Sequence, residues 1–194
     1  MPLYRRSPGW TVFILLLGLA ITFAQQRGWL HNAAQTAATN QPGSYAIDHF
    51  IDGDTIALNM NGTVETVRMI GVDTPETHKP NTPVQCYGPA AAAYTKNSIT
   101  SAGGRVRLVS DSLSTDRDRY DRLLRYVYLA NGQLLEDNLI KNGYGFYYPY
   151  FPFTKAAQFA AAQQAAQTAH RGLWADCQPT PTDSGGYVSN PVAT

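Results

Sequence analysis

Carboxylates occur in two short clusters that one β-hairpin would bring together. Asp54 lies in an Asp-Gly-Asp-Thr sequence and begins a predicted strand, and Asp73 ends the strand predicted to pair with it, three residues before Glu76. Two carboxylates at one end of a sheet repel each other unless a cation lies between them. Oxygen ligands without His or Cys suit calcium or magnesium and not zinc. The pairing predicts a hard-cation site, although Asp-Gly alone is more often a plain turn.

Arg68 precedes Asp73 by five residues on the same predicted strand. An odd separation places two side chains on opposite faces of a strand unless a bulge or the strand end redirects one of them. Beside a carboxylate-bound cation, an arginine would complete a phosphate site, because its planar guanidinium binds two phosphate oxygens at once. The competing interpretation is an ion pair with a strand carboxylate such as Glu65.

A second charged cluster, Asp-Arg-Asp-Arg-Tyr-Asp-Arg at residues 116–122, precedes an apolar strand. Taken alone, it is typical of a solvated turn. The four histidines have no metal-ligand spacing, and the chain lacks the twelve-residue EF-hand calcium loop. Any cation site therefore has to come from Asp54, Asp73 and the carboxylates beside them.

Five strands and three helices are predicted around these clusters. The Asn-Gly pair at 61–62 is a strong type I′ hairpin signal, Pro89 favours a helix start, and Thr154 is predicted to cap the third helix. The predicted strands cover residues 45–51, 55–60, 63–72, 105–110 and 123–129, and the predicted helices cover 89–102, 133–142 and 154–170. Together they predict an α+β domain built on a compact β-barrel.

Composition and charge exclude several classes of protein. With 44% apolar and 15% charged residues in 194, the chain is too apolar to be disordered and is long enough for one sizeable core. A formal charge of +1 excludes a histone-like polycation and an acidic solvating tail. Because Arg5, Arg6 and Arg27 flank the first apolar run, the remainder is slightly acidic. Nucleic-acid binding would have to come from a local site.

The N-terminal region is typical of an exported protein. Residues 10–24 are uncharged and apolar and follow the pair Arg5 and Arg6, the layout of a secretory signal or a signal-anchor. Such a helix spans roughly 22 Å against a hydrocarbon core of about 30 Å, so both cleavage and membrane retention stay open. Either outcome predicts an extracytoplasmic domain, secreted or anchored to the membrane by one N-terminal helix. The competing interpretation is a buried core helix.

The domain boundaries follow from composition. Residues 1–27 are predicted to be the signal peptide or signal-anchor helix, and residues 28–44 a linker. Residues 45–177 form the predicted folded domain, and residues 178–194, rich in Pro, Thr, Ser and Gly, are predicted to be a flexible tail.

In combination, these motifs make residues 45–177 resemble the staphylococcal nuclease (thermonuclease) family. The resemblance rests on Ile-Asp-Gly-Asp-Thr at 51–55, Arg-x-x-x-Val-Asp-Thr-Pro-Glu-Thr at 68–77, Tyr-Gly-Pro at 87–89, Asp-Arg-Tyr-Asp-Arg at 118–122 and Gly-Leu-Trp at 172–174. It implies a five-stranded OB-fold β-barrel with three α-helices. It also implies Ca²⁺-dependent cleavage of DNA and RNA, preferably single-stranded or frayed, to leave 3′-phosphate ends.

The resemblance implies roles for individual residues. Asp54 and Asp73 would bind Ca²⁺ through their carboxylates and Thr74 through its main-chain carbonyl. Glu76 would position or deprotonate the attacking water.

The implied substrate-binding groups are mostly cationic or aromatic. Arg68 and Arg122 would neutralise charge on the five-coordinate phosphorus, which stabilises the transition state selectively. The other predicted substrate-binding residues are Arg119 and Tyr120, at a terminal phosphate, and Tyr150 and Phe151, as base-stacking rings. The competing interpretation of the aromatic segment at 144–153 is that its rings belong to the hydrophobic core, above all those of Phe146 and Tyr147.

Two departures from the family pattern lower the local positive charge. Asp121 stands between Tyr120 and Arg122 where the staphylococcal enzyme has glycine, and the loop at 78–83 has one lysine where that enzyme is more basic. We expect weaker and more salt-sensitive substrate capture, with calcium supplying much of the attraction.

The two cysteines, Cys86 and Cys177, bracket the folded domain. In an exported protein they are expected to form a disulfide, worth up to about 4.6 kcal/mol for a loop of roughly 90 residues in the chain-entropy model. Two buried free thiols are the alternative.

Two further functional interpretations remain. The first is a binding module for nucleic acid or protein that keeps the barrel without catalysis, and the second is an OB-fold that binds sugars or peptides. Neither explains a complete set of acids and arginines. No obligate protein partner is inferred.

Overall fold

The computed structural model describes residues 43–77 and 83–191. Five strands close into a barrel in the order β1-β2-β3-β6-β5, which confirms the predicted five-stranded barrel with helices. The barrel strands are β1 (Ser44–Phe50), β2 (Thr55–Met60), β3 (Thr63–Met69), β5 (Arg105–Val109) and β6 (Leu123–Leu129), and the short strands are β4 (Val72–Asp73), β7 (Phe146–Tyr147), β8 (Thr180–Pro181) and β9 (Tyr187–Val188). The helices are α1 (Gly88–Ser101), α2 (Leu135–Lys141), α3 (Ala156–Thr168) and α4 (Leu173–Asp176).

The predicted signal or anchor segment lies outside the described residues. Within residues 43–77 and 83–191, no helix combines the length and the apolar character needed to cross a bilayer.

Strand pairing closes the barrel. The pairs β1/β2, β2/β3, β5/β6 and β1/β5 are antiparallel, and β3 pairs with β6 in parallel with Val67 opposite Leu123. The β2-β3 turn has positive φ at both Asn61 (58°) and Gly62 (95°), as a type I′ hairpin requires. The parallel pair places the end of β3 beside the start of β6.

The core lies inside the barrel and beneath α2 and α3. Ile56 and Leu58 of β2 are buried among residues from the neighbouring strands, and Leu139 and Phe159 bring in the two helices. A fully buried aliphatic or aromatic side chain stabilises the fold by roughly 1.5–3 kcal/mol. The core therefore holds the strand ends rigidly.

Most predicted boundaries lie within two residues of those in the structure, and two predictions differ in kind. The strand predicted at 63–72 stops at Met69, because Gly71 adopts a φ of +74° and interrupts it. Thr154 does not cap α3, whose N-cap position is Lys155. The Thr154 hydroxyl instead donates to Asp111, and no side-chain hydrogen bond caps the helix.

The prediction of a flexible tail also differs from the structure. Residues 178–191 contain the β8-β9 hairpin, and Tyr187 packs against Phe146 and Trp174. The disulfide between Cys86 and Cys177, with Cα atoms 5.7 Å apart, joins the start of α1 to the end of α4 directly before this hairpin. Aromatic packing and a covalent link thus order a segment whose composition is typical of a linker.

Candidate active site

Arg68 lies at the end of β3, where the chain turns sharply. Gly71 allows this turn, because its φ of +74° favours glycine and a Cβ there would overlap the ring of Phe153. Arg68 closes the turn by donating from Nη1 to the carbonyls of Met69 (2.8 Å) and Val72 (2.6 Å). The interruption redirects the strand, so Arg68 and Asp73 meet on one side despite their odd separation.

One guanidinium nitrogen joins the two predicted cation ligands. Nη2 of Arg68 lies 2.8 Å from Oδ1 of Asp73 and 3.2 Å from Oδ2 of Asp54. Asp54 is 6% exposed and also accepts hydrogen bonds from the Thr55 hydroxyl (2.8 Å) and the Thr74 N–H (2.8 Å). The structure therefore brings Asp54, Asp73 and Thr74 together, as the sequence predicted.

The carboxylates of Asp54 and Asp73 stabilise the positive charge of Arg68. Burial would lower the pKa of Arg68, but Asp54 and Asp73, with Tyr148 and Glu76 contributing less, raise it above its ordinary value. The guanidinium is therefore fully charged at neutral pH. The predicted competing partner Glu65 pairs instead with Arg117, at 2.9 Å.

Glu76 lies in the loop after β4, and neighbouring polar groups hold its main chain. Its N–H donates to Oε1 of Gln85 (2.8 Å), and its carbonyl accepts from the Gln85 N–H (3.0 Å). The next residue, Thr77, donates from its hydroxyl to Asp52 (3.0 Å). Burial, and then the proximity of Asp54, raise the pKa of Asp52.

The second charged cluster forms a tight, hydrogen-bonded turn before β6. Oδ1 of Asp118 accepts from the N–H groups of Tyr120 (2.9 Å) and Arg122 (3.0 Å), and its Oδ2 binds the Arg122 side chain at Nε (2.7 Å) and Nη2 (2.6 Å). Burial would raise the pKa of Asp118, but the bonds from Arg122 and Tyr120 lower it. Asp121, at φ 63°, keeps the left-handed conformation that glycine adopts most easily.

A cleft of about 650 Å³ unites the cationic groups. Arg68 and Arg122 both line it, because they lie at the same end of the parallel pair β3/β6. Arg119 and Tyr120 line its rim, joined by a 2.7 Å hydrogen bond from Nη2 to the phenol oxygen. Tyr120 is 64% exposed, so its ring is accessible to a ligand.

The aromatic wall of the cleft differs in part from the prediction. Phe151 lines the cleft and is 65% exposed, whereas the Tyr150 hydroxyl bonds Oγ1 of Thr182 at 2.7 Å. The sequence interpretation missed Tyr148, which lines the cleft with its ring centre 5.9 Å from the Arg68 guanidinium. Tyr148 reaches this place because its N–H donates to the Gly71 carbonyl (2.9 Å) beside the β4/β7 pair. In a run of ten residues dominated by aromatics, no periodicity distinguishes it.

The donor set beside Arg68 fits a hard divalent cation. Asp54 and Asp73 supply carboxylate oxygens, and the buried Thr74 hydroxyl has no hydrogen-bond partner within residues 43–77 and 83–191. Oxygen donors of this kind bind calcium or magnesium. No group of three or more His, Cys, Asp or Glu residues in the described ranges is arranged to hold a metal. A cation here would therefore also need the main-chain carbonyl of Thr74 and water.

Comparison with known proteins agrees with this geometry. A family model described as Staphylococcal nuclease homologue matches residues 66–176. The thermonuclease of Staphylococcus hyicus is 37% identical over 168 residues, which is 85% of this chain and 94% of that protein. The thermonuclease of Staphylococcus intermedius is 42% identical over 134 residues, covering 68% of this chain and 76% of that protein. Endonuclease YncB of Bacillus subtilis is 38% identical over 168 residues, covering 86% of this chain and 72% of that protein.

The matched region contains Arg68, Asp73 and the Arg122 turn, which the structure joins in one site. Because the family model covers more than half of the chain and the relatives align over most of their own length, this chain belongs to the staphylococcal nuclease family.

Proposed function

We propose that this chain is an extracytoplasmic, calcium-dependent nuclease that hydrolyses phosphodiester bonds of DNA and RNA and leaves 3′-phosphate ends. The observation that carries the proposal is the position of Arg68, which contacts Asp54 and Asp73 and lines the same cleft as Arg122. The relatives named thermonuclease and endonuclease support nucleic acid as the substrate class.

The arginines account for transition-state stabilisation. Addition of water to phosphorus increases the negative charge on the equatorial oxygens, and Arg68 and Arg122 present fixed, charged donors to that charge. Each such donor is worth about 3–4 kcal/mol when it is preorganised. Arg68 is preorganised by its bonds to the Met69 and Val72 carbonyls, and Arg122 by Asp118.

Calcium would be held by Asp54, Asp73 and the Thr74 carbonyl, and when bound it supplies positive charge that offsets the negative charge of the phosphate. Glu76 accepts a proton from the attacking water, whose oxygen bonds to phosphorus. The bond from phosphorus to the 5′ oxygen breaks and that oxygen takes up a proton from solvent, while Glu76 returns its proton to solvent, so the products are a 3′-phosphate and a 5′-hydroxyl.

Aromatic groups supply sequence-tolerant substrate binding. Arg119 and Tyr120 suit a terminal phosphate, and Tyr148 and Phe151, which line the same cleft, suit unstacked bases. Because these rings would stack on unpaired bases of one strand, they favour single-stranded or frayed nucleic acid. The exposed acid Asp121 lowers the positive potential at the rim of the cleft, which supports the expectation of weaker, salt-sensitive capture.

Export is supported by two features of the chain. The apolar stretch at 10–24 follows the pair Arg5 and Arg6, as in a signal peptide or signal-anchor. The disulfide between Cys86 and Cys177 is a bond that persists in oxidising compartments. The nuclease would be secreted or attached to the membrane by one N-terminal helix.

The test is release of acid-soluble nucleotides from single-stranded DNA and from RNA by the full chain, with Ca²⁺ or with a chelator. We expect calcium-dependent cutting that falls by at least about a hundredfold, or 2.7 kcal/mol, in Glu76→Gln and in Arg122→Ala. Arg107→Ala is the matched control, since this arginine packs on Tyr128 and does not line the cleft. Products should prime a polymerase only after phosphatase treatment.

Absence of cutting by the folded wild-type chain at every calcium concentration would overturn the proposal and favour a binding module. Cutting that persists in the chelator would refute the calcium dependence alone.

A further inference from the structure

The segment at residues 178–191, here called the C-terminal strap, is anchored to the body of the fold. Thr182 closes its hairpin by donating its N–H to the Gly186 carbonyl (2.9 Å) and accepting the Gly186 N–H at Oγ1 (3.0 Å). Tyr187 packs on Phe146 and Trp174, with ring centres 6.1 and 4.9 Å away. The strap therefore has a defined position against the body of the fold and can orient the residues that contact it.

The strap makes its first contact beside the disulfide. The Cys86 N–H donates to the Asn190 carbonyl (2.7 Å), and the hydroxyl of Ser189, which is 2% exposed, donates to the Cys86 carbonyl (2.7 Å). Gln85 forms an antiparallel bridge with Pro191. The strap thus pairs with residues 85–86 as a short added strand.

Gln85 connects the strap to Glu76 through two hydrogen bonds. Its N–H donates to the Glu76 carbonyl (3.0 Å), and its side-chain Oε1 accepts the Glu76 N–H (2.8 Å). Gly88 packs so closely that a Cβ there would lie 2.9 Å from the Glu76 carbonyl oxygen. Both main-chain polar groups of Glu76 are therefore held by one residue that the strap itself holds.

The second contact leads to the aromatic wall of the cleft. Oγ1 of Thr182 bonds the Tyr150 hydroxyl at 2.7 Å, and the missing side chain of Gly186 leaves room for that hydroxyl. The Tyr150 ring packs on Tyr148, with centres 4.6 Å apart, and Tyr148 faces Arg68. The strap is thus connected to Glu76 through Gln85 and to Tyr148 of the cleft wall through Tyr150.

We propose that the C-terminal strap is a positioning element of the nuclease site, acting on Glu76 through Gln85 and on Tyr148 through Tyr150. The inference rests on the proposed function. Misplacement of a reacting group by about 1 Å costs up to a hundredfold in rate, so the Gln85 branch acts on kcat. The Tyr150 branch orients a stacking ring, so it acts on KM.

Variants of the full chain separate the two branches. Gln85→Ala should lower kcat about tenfold or more while KM stays within about twofold. Gln85→Glu keeps an oxygen acceptor for the Glu76 N–H and should restore most of kcat. Tyr150→Phe, which loses only the bond to Thr182, should raise KM about threefold with kcat unchanged. Gln158→Ala, a surface glutamine of α3 bonded to Asp137, is the matched control.

A chain ending at Cys177 tests the whole strap with the disulfide retained. Hydrogen exchange supplies a readout that does not depend on activity, because the Glu76 amide should exchange at least about tenfold faster without the strap and in Gln85→Ala. Equal exchange in all three chains, or an unchanged kcat in both altered chains when the wild type cuts, would overturn the inference while the proposed function stands. A wild type that cuts nothing refutes the proposed function, and unchanged exchange then refutes the strap as well.

Discussion

Acid should unfold this protein partly through one carboxylate, Asp111. Its Oδ2 accepts hydrogen bonds from the Tyr126 hydroxyl (2.7 Å) and from both the N–H (2.8 Å) and the hydroxyl of Thr154, and its Oδ1 accepts from the Leu113 N–H (2.8 Å). Burial alone would raise the pKa of Asp111, but these bonds, those from Thr154 first, lower it from 3.8 to about 2.

The size of the effect follows from that pKa. A pKa lowered from 3.8 to about 2, at 1.36 kcal/mol per pKa unit, corresponds to roughly 2.5 kcal/mol, which solvent screening reduces to about 2 kcal/mol of the free energy of unfolding. Because the folded pKa of Asp111 lies below the unfolded one, the stabilisation is complete above about pH 5. It is lost as the pH falls from about 4 to about 2, where the folded carboxyl takes up its proton.

The assay is urea unfolding of the full chain with the disulfide intact, at several pH values between 7 and 2. At neutral pH we expect Asp111→Asn to unfold at a urea midpoint about 1 M below the wild type, for an m-value near 2 kcal/mol/M. At pH 2 the two midpoints should nearly coincide. The difference between the two urea midpoints reports on Asp111, because the other titrating groups contribute equally in both chains.

Asp116→Asn is the matched control. Its carboxylate pairs with Arg125, but the side chain is 69% exposed, so it should change stability by less than about 1 kcal/mol. A gap between wild type and Asp111→Asn that is the same at pH 7 and pH 2 would refute the reasoning.

Three further outcomes are expected. Burial raises the pKa of Glu136, which accepts the Val127 N–H, well above its usual value, so the wild type loses stability as the pH rises above about 4.5. In urea unfolding at pH 8, Glu136→Gln should therefore be the more stable chain, by about 1.4 kcal/mol for each pKa unit that separates the folded from the unfolded carboxyl. Asp121→Gly removes an exposed negative charge beside the cleft and should lower KM for single-stranded DNA about fivefold at low salt and little at high salt. Asp118→Asn weakens the charge-assisted bonds that orient Arg122 and should lower kcat about tenfold or more in steady-state assays.

Each of these outcomes has a control. For Glu136→Gln, the advantage should vanish near pH 4, and an advantage that does not change with pH would contradict the raised pKa of Glu136. For Asp121→Gly, Asp48→Asn removes an exposed charge of β1 outside the cleft, and equal KM gains in both variants would point to net charge alone. For Asp118→Asn, a rise in KM at constant kcat would assign Asp118 to substrate capture.

Features determined by neighbouring residues were readable from the sequence. The bounds of β2 and β6 match the prediction, and the β2-β3 turn has the positive φ values that Asn-Gly favours. The approach of Asp54 to the end of β3 follows from two strands joined by one short turn. These features depend on periodicity and turn chemistry, which act over a few residues.

Contacts between distant segments needed the tertiary structure. The meeting of Arg68 with Asp73 depends on how the Gly71 turn packs on Phe153, and the place of Tyr148 depends on the pairing of β4 with β7. The strap is ordered by Tyr187 and by its pairing with Gln85, although its composition is typical of a flexible tail. Sequence pattern alone determined which groups could do the chemistry, because residue type sets charge and donor capacity. Long-range packing decided which of them face one another, because it selects among the many partners that local structure leaves available.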